Sequence, residues 1–231
     1  MKKAIIFGYT KTGKEIAKLL NDDEFELEII DENPLQVANA NAEGYFARHI
    51  SLDDDKIFED IGIGGDVEAL FCTSDDDSLN LFVTLTARNI DKDLKILTQI
   101  KKMEDEKKML LAGANRTISP HSVGAAKIFR IIKKPRVSKV LDIFTRIDNK
   151  ISITELTVDE GSLYDGMYFS SVDLSQTYNL IFLGLLDKKN DDEFVFFSKA
   201  IRHKIKAGDL MVMLGSRKDI KKFKMELSKK I

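Results

Sequence analysis

Over its first 134 residues the chain alternates short apolar runs with stretches whose apolar residues recur at helical spacing. Ala4–Phe7 is uninterruptedly apolar and stops at Gly8, the pattern of a strand buried on both faces of a parallel sheet. A helix is predicted from Thr12, with Ile16, Leu19 and Leu20 along one side. Leu27–Ile30 reads as a second strand ending at Asp31. Asn33 then caps a helix whose first position is Pro34, where the missing N–H has no partner to lose. Tyr45–Ala47 is the third strand, and Asp53 opens a short helix that runs to Ile61 before the Gly62–Gly65 loop. Leu70–Thr73 is the fourth strand. Ser74, with Asp75, Asp76 and Asp77, is predicted to cap and charge a long helix that packs through Leu79, Phe82, Val83 and Thr86. Leu94–Thr98, a helix over Glu104–Leu111 and the strand Arg116–Ile118 follow, and Ser119-Pro120 starts another helix. Strand and helix alternating in this way predict an α/β fold, a Rossmann-like doubly wound parallel sheet.

The pattern changes at Lys133-Lys134-Pro135. Beyond it the strand-like runs Ile151–Val158, Leu180–Leu186 and Phe194–Phe197 are separated by turn residues at Asp159–Gly161 and Asn190–Asp192. Ala207-Gly208-Asp209 precedes a further run, Leu210–Leu214, and Arg217–Lys230 reads as a closing helix. Two domains are therefore expected: a Rossmann-like domain over 1–134 and a small α+β domain over 135–231.

The chemistry-bearing residues fall at the ends of the predicted strands, where open α/β sheets bind ligands. Gly8-Tyr9-Thr10-Lys11-Thr12-Gly13 joins the first strand to the first helix. Gly8 and Gly13 stand at the first and third glycine positions of the dinucleotide fingerprint, and Thr10 stands at the second. Behind them a helix N-terminus offers N–H groups and a positive dipole end to an anion. A tight strand-to-helix turn by itself also accounts for the two glycines. Asp31, with Glu32 beside it, closes the second strand twenty-three residues after Gly8, where the fingerprint acid meets ribose hydroxyls. No arginine near it welcomes a 2′-phosphate, which favours NAD over NADP. Thr73 and Ser74 follow the fourth strand and Gln99 the fifth, so all three are candidate nucleotide contacts, with helix capping the alternative for Ser74.

Composition excludes several other classes. With 36 basic and 38 acidic residues the formal charge is −2, so no basic excess points to nucleic acid. Cys72 is the single cysteine, which rules out an intrachain disulfide and fits a reducing compartment; lying in an apolar strand, it reads as a buried thiol. The apolar run after Met1-Lys2-Lys3 is too short for a signal peptide, and no run is long enough to span a bilayer. Asp53-Asp54-Asp55 and Asp75-Asp76-Asp77 sit where helices begin and answer the dipole without any metal. His49, His121 and His203 stand too far apart for a zinc site, and no Walker A or Gly-x-Ser-x-Gly sequence occurs. An oxidoreductase needs a proton donor, but no Tyr-x-x-x-Lys is present. His121 is the one candidate in the first domain, and His203, between Arg202 and Lys204, has no obvious orienting carboxylate. No catalytic residue is assigned.

The constellation resembles the regulator of potassium conductance (RCK) family, the cytosolic Trk/Ktr-type regulators of potassium channels and transporters. The resemblance rests on Ile5-Ile6-Phe7-Gly8-Tyr9, Asp31, Thr73 through Asn80, and Ala112 through Pro120. In the second half it rests on Glu155-Leu156-Thr157-Val158, Gly161-Ser162, Ala207 through Val212, and Gly215. The chain departs from the family pattern at Thr10, often glycine, and at His49-Ile50-Ser51, where the family often carries Gly-Asp. The resemblance implies a TrkA-N type domain that binds NAD(H) or an adenine nucleotide (ATP or ADP), followed by a TrkA-C type regulatory domain. It also implies a homo-oligomer, a dimer or a ring of dimers, held at the inner face of the cell membrane by an integral-membrane potassium channel or transporter. Ile128–Ile132 is then a candidate dimer seam, with packing inside the first domain as the plain alternative.

Overall fold

The computed structural model describes residues 2–20, 25–53, 56–145, 151–172, 174–187, 193–196 and 203–228. The chain divides into two compact units, Met1–Phe129 and Arg130–Ile231.

In the first unit six strands form one sheet: β1 (Lys2–Phe7), β2 (Phe25–Asp31), β3 (Phe46–His49), β4 (Val67–Cys72), β5 (Lys95–Gln99) and β6 (Arg116–Ile118). Their order is β3-β2-β1-β4-β5-β6 and every pairing is parallel, so the order reverses beside β1. The helices between them are α1 (Lys11–Leu20), α2 (Pro34–Ala42), α3 (Lys56–Asp60), α4 (Asp77–Ile90) and α5 (Glu106–Leu111). Alternation along β1 sends Ile5 and Phe7 into one core with Phe58, Leu70 and Val83, and Ile6 into another with Ala17, Ile29 and Ala40. A strand apolar at every position thus serves both faces, which is why it reads as a continuous run.

Local chemistry sets the helix starts. Asn33 caps α2 by accepting the Leu35 N–H at 3.0 Å, with Pro34 at the first position as expected. The cap of α4, however, is Asp76, whose Oδ1 accepts from the N–H groups of Ser78 (2.7 Å) and Leu79 (3.4 Å). Ser74 lies two residues earlier and its Oγ accepts the Asp76 N–H instead. The inward face of α4 also differs from the expected one: Asn80, Val83, Thr84 and Ala87 are buried, and Phe82 is exposed. Apolarity alone misplaces this face, because the two polar residues find buried partners. Asn80 bonds the Ser74 and Gln99 backbones, and Thr84 lies 2.9 Å from the Thr98 hydroxyl and donates to Cys72 Sγ. Burial pushes the Cys72 thiol up to about 12, so it stays protonated.

Glu28 is a further polar residue inside the sheet, 3% exposed on β2. Arg48 on β3 donates to its Oε1 through Nε at 2.8 Å and through Nη2, and Lys3 Nζ stands 3.6 Å from Oε2. Removing one partner of such a group would strand a buried charge. Arg88 on α4 has no acid to pair with in its hydrogen-bond set. It donates to the carbonyls of Asp91, Lys92, Leu94 and Gly113 and to Asn115 Oδ1, tying the end of α4 to the turns around β5 and β6.

Helix α6 (Pro120–Lys133) carries the chain across the division between the units and buries none of its residues. Lys133-Lys134-Pro135 is only a local break, since α7 (Pro135–Thr145) begins at once, with proline again at a first position. This helix was not anticipated. The second unit is an antiparallel sheet of β7 (Ile151–Thr157), β8 (Ile181–Asp187), β9 (Glu193–Phe196) and β10 (Leu210–Ser216), ordered β7-β10-β8-β9. The short α8 (Leu174–Tyr178) and the closing α9 (Arg217–Leu227) share a core with it, centred on Leu156, Phe182, Met211, Met213 and Phe223. His203 does have a carboxylate partner: Asp209 Oδ2 lies 2.7 Å from its Nε2, brought there by the turn before β10. Asp54, Asp55, Asn190–Asp192, Phe197, Arg202 and the last residues of the expected closing helix lie outside the described residues.

Replacing Arg88 by methionine keeps the stem but leaves several carbonyls without a donor. Urea unfolding is expected to show a loss of at least about 2 kcal/mol, whereas Lys18→Met on the surface of α1 should change little.

Candidate functional site

The carboxyl ends of β1, β2 and β4 meet where the strand order reverses. Here the turn from β1 into α1 rests directly on the turn from β4 into α4. Thr73 donates its N–H to the Phe7 carbonyl (2.7 Å) and its hydroxyl to the Gly8 carbonyl (2.7 Å). Gly8 has φ +93°, and a Cβ on it would stand 2.6 Å from Ser74 N. A Cβ on Gly13 would fall on the Gly8 carbonyl oxygen. Both glycines are therefore required by backbone contact. Thr10 completes the clasp: its hydroxyl donates to the Thr73 carbonyl at 2.7 Å and accepts the Gly13 N–H at 3.4 Å.

The remaining donors of the turn can be counted. Gly8 N–H bonds the Ile30 carbonyl, Tyr9 N–H bonds Asp31 Oδ2 at 2.7 Å, and Lys14 N–H makes the first intrahelical bond, to Thr10 O. The N–H groups of Thr10, Lys11 and Thr12 precede that bond and form the positive end of the α1 dipole. Asp31 accepts a second N–H, from Asn33, on Oδ1 at 2.8 Å. Each carboxylate oxygen has a further lone pair, so Asp31 can hold the glycine turn and still accept hydroxyls.

A cavity of about 450 Å³ opens over this junction, lined by Phe7, Gly8, Asp31, Glu32, Asn33, Pro34, Ser74 and Leu79. Of the residues expected from sequence it brings together Gly8, Asp31, Glu32 and Ser74. Lys11 and Thr12 stand on the first turn of α1, exposed and half-buried, and Gly13 is buried beneath it. Thr73 is fully buried under the turn with its N–H, hydroxyl and carbonyl all bonded. Tyr9 is buried too. Its hydroxyl donates to Glu43 at 2.9 Å, and Lys14 reaches Glu43 at 2.7 Å while lying over the Tyr9 ring. Burial, then the Glu43 bond, holds the Tyr9 phenol above its ordinary value; the bonds from Lys14 and Tyr9 hold the Glu43 carboxyl below its own. Gln99 does not line the cavity; it is 4% exposed at the end of β5. His49 contacts the Glu32 carbonyl at 3.0 Å, on the outer side of Asp31. Phe7, Asn33, Pro34 and Leu79 line the cavity although the sequence had marked them only as strand and helix residues. The signal was available for Phe7, Asn33 and Pro34, which border the ends of β1 and β2, but not for Leu79, which lies in the first turn of α4. A nucleotide fits this chemistry, with space over a glycine for phosphate, free N–H groups at a helix start and an acid for ribose.

A parallel sheet in this order, with a glycine turn seated on its fourth strand and an acid ending its second, is a Rossmann-type nucleotide-binding domain. A sequence model of the TrkA-N domain matches residues 4–120, and the chain belongs to that family. It is 22% identical over 98% of its length to the probable potassium channel protein 2 of Methanocaldococcus jannaschii, and spans 67% of that protein. Its fold is shared with the human SLO3 gating ring (TM-score 0.71, 14% identity, 96% of this chain and 46% of that one). It is also shared with the GsuK channel bound to NAD (TM-score 0.53, 16% identity, 99% of this chain and 39% of that one). The chain thus spans about two thirds of the curated relative and less than half of either solved chain.

Gly8→Ala meets backbone on one side and a disfavoured φ on the other, with no flexible side chain to yield. It is expected to cost more than about 1 kcal/mol in urea unfolding, and more than the same change at the open Gly124.

Proposed function

We propose that the first unit binds NAD(H) or an adenine nucleotide in the crevice between Gly8, Asp31 and Ser74. Its occupancy gates a potassium channel or transporter. The observation that carries the binding half is a cavity lined by both the Cβ-free Gly8 turn, which leads into the N-terminus of α1, and Asp31. Potassium flux is supported by the curated relative, a probable potassium channel protein, and the ligand class by the NAD of the GsuK channel. The second unit serves as the regulatory module, and the pore belongs to an integral-membrane partner met from the cytoplasmic side. Among the described residues no helix is long and apolar enough to cross a membrane.

A gate can be driven only by a ligand that binds its two arrangements unequally, which calls for an assembly with two arrangements. The exposed apolar side chains of α6 supply a surface for one. Val123, Ile128, Phe129, Ile131 and Ile132 are each about half exposed or more, so packing inside the first unit does not account for them. A homodimer that buries this helix, alone or within a ring, follows. No turnover is expected, because the crevice presents backbone N–H groups, a serine and two carboxylates, of which Asp31 already holds two N–H groups, and its lining includes no histidine, lysine or tyrosine.

Asp31→Ala removes a charge-assisted contact to ribose. Calorimetry with NAD and ADP should show a loss of about 1.5–3 kcal/mol, and unchanged affinity would make Asp31 a bystander. Phe129→Ser combined with Ile132→Ser should shift native mass spectra from dimer to monomer while circular dichroism is retained. NADH absorbance with a panel of carbonyl compounds should stay flat, and flux in vesicles holding the cognate pore should respond to nucleotide.

A further inference from the structure

The glycine turn carries a second set of contacts outside the cavity. Tyr9 is 1% exposed and packs with Ile6, Ala17, Ile29 and Ala40, yet its phenol reaches Glu43, the residue that ends α2. The hydroxyl donates to Glu43 Oε2 at 2.9 Å, and Lys14 Nζ, from α1, donates to Oε1 at 2.7 Å. An ion pair as exposed as that of Lys14 with Glu43 adds little to stability. Its place in the fold gives the cluster a different use.

Tyr9 grips Asp31 Oδ2 through its backbone N–H (2.7 Å), and Asn33, the cap of α2, grips Oδ1 through its own (2.8 Å). The two donors belong to different elements, the turn from β1 into α1 and the start of α2. Glu43 joins those elements again at the other end of α2. The contacts thus close a loop: from Asp31 to the Tyr9 backbone, along the Tyr9 side chain to Glu43, and back along α2 to Asn33 and Asp31. A helix of nine residues is a rod about 13 Å long. Holding its last residue therefore steadies its first, where Asn33 and Pro34 line the cavity. The Asp31 carboxylate is fixed on both oxygens, and its remaining lone pairs keep one orientation. An acceptor held in this way binds a hydroxyl without first having to be ordered.

We propose that the Tyr9 hydroxyl and Glu43 are positioning residues that hold Asp31 for the ribose of a nucleotide. They act through Asp31 and favour ribose-bearing phosphates over inorganic ones. The inference rests on the nucleotide reading of the cavity and adds the residues that set its preference for ribose.

The test uses the full chain, ADP as the ribose-bearing probe and inorganic pyrophosphate as the probe that shares only its phosphates. Tyr9→Phe deletes one hydroxyl and keeps the ring in its core. In calorimetry it is expected to weaken ADP about fivefold and to leave pyrophosphate within about twofold. Glu43→Ala should do the same, whereas Glu43→Gln keeps an acceptor for the phenol and should hold ADP within about twofold of wild type. In an Asp31→Ala background Tyr9→Phe should cost ADP less than about twofold, because the residue it acts through is gone. Unchanged ADP affinity in Tyr9→Phe or in Glu43→Ala would overturn the proposal. So would equal weakening of both probes, or a loss of the same size in the Asp31→Ala background, since each marks a loosened fold rather than a positioned acid. If pyrophosphate binds too weakly to measure, the Asp31→Ala cycle decides alone. A wild type that binds no ADP sinks the nucleotide reading and this inference together. A wild type that binds ADP as tightly as both variants do leaves that reading standing and removes only the positioning role.

Discussion

The first unit depends on two backbone turns meeting with no side chain between them. Gly8 lies against Thr73 and Ser74 so closely that even a methyl group is excluded, and Thr73 and Thr10 fasten the junction with bonds to the opposite turn. This contact fixes where α1 starts, and so where its free N–H groups point. It also brings β1 and β4 together at the place where the strand order reverses. Asp31 adds the third side by bonding the Tyr9 N–H, so the acid that faces the cavity is also a strut of the turn. Thr10, at the second glycine position of the fingerprint, is part of the clasp: its hydroxyl is turned toward Thr73 and Gly13.

What the sequence made legible follows from this. Strands buried on both faces have a strong local signature, and the alternation of Ala4–Phe7, Leu27–Ile30 and Leu70–Thr73 with helical stretches carried the α/β class. The acid Asp31 was visible because its spacing from Gly8 is set by one β-α-β passage. The inward face of α4 was not visible. Asn80 and Thr84 are polar, and only the three-dimensional structure shows that each meets a buried partner. Glu28 and Arg48 were missed for the same reason, since a carboxylate inside a sheet depends on a residue twenty positions away. The helix α7 was hidden behind Pro135, which ends one helix and is equally suited to start another. The partner of His203 was six residues along, across a turn, and adjacent sequence gave no hint of it.

The apolar surface of α6 links fold to assembly. Half of its length is hydrophobic and none of it is buried, a pattern that soluble helices show when another chain covers them. In the proposed reading, binding in the crevice and association through this helix belong to one chain, and the second would let the first act at a distance. Residues 4–120 belong to the TrkA-N family, and the fold of the chain is shared with the SLO3 gating ring.

The central claim is that the two turns form a preformed seat with free backbone donors at Thr10, Lys11 and Thr12. Hydrogen–deuterium exchange of the full chain with and without ADP measures this directly. The amides of Gly8, Tyr9 and Ser74 should already be protected without ligand, and ADP should add protection at Thr10–Thr12. Fast exchange at Gly8 and Ser74 in the ligand-free protein, or ligand protection confined to the second unit, would contradict it.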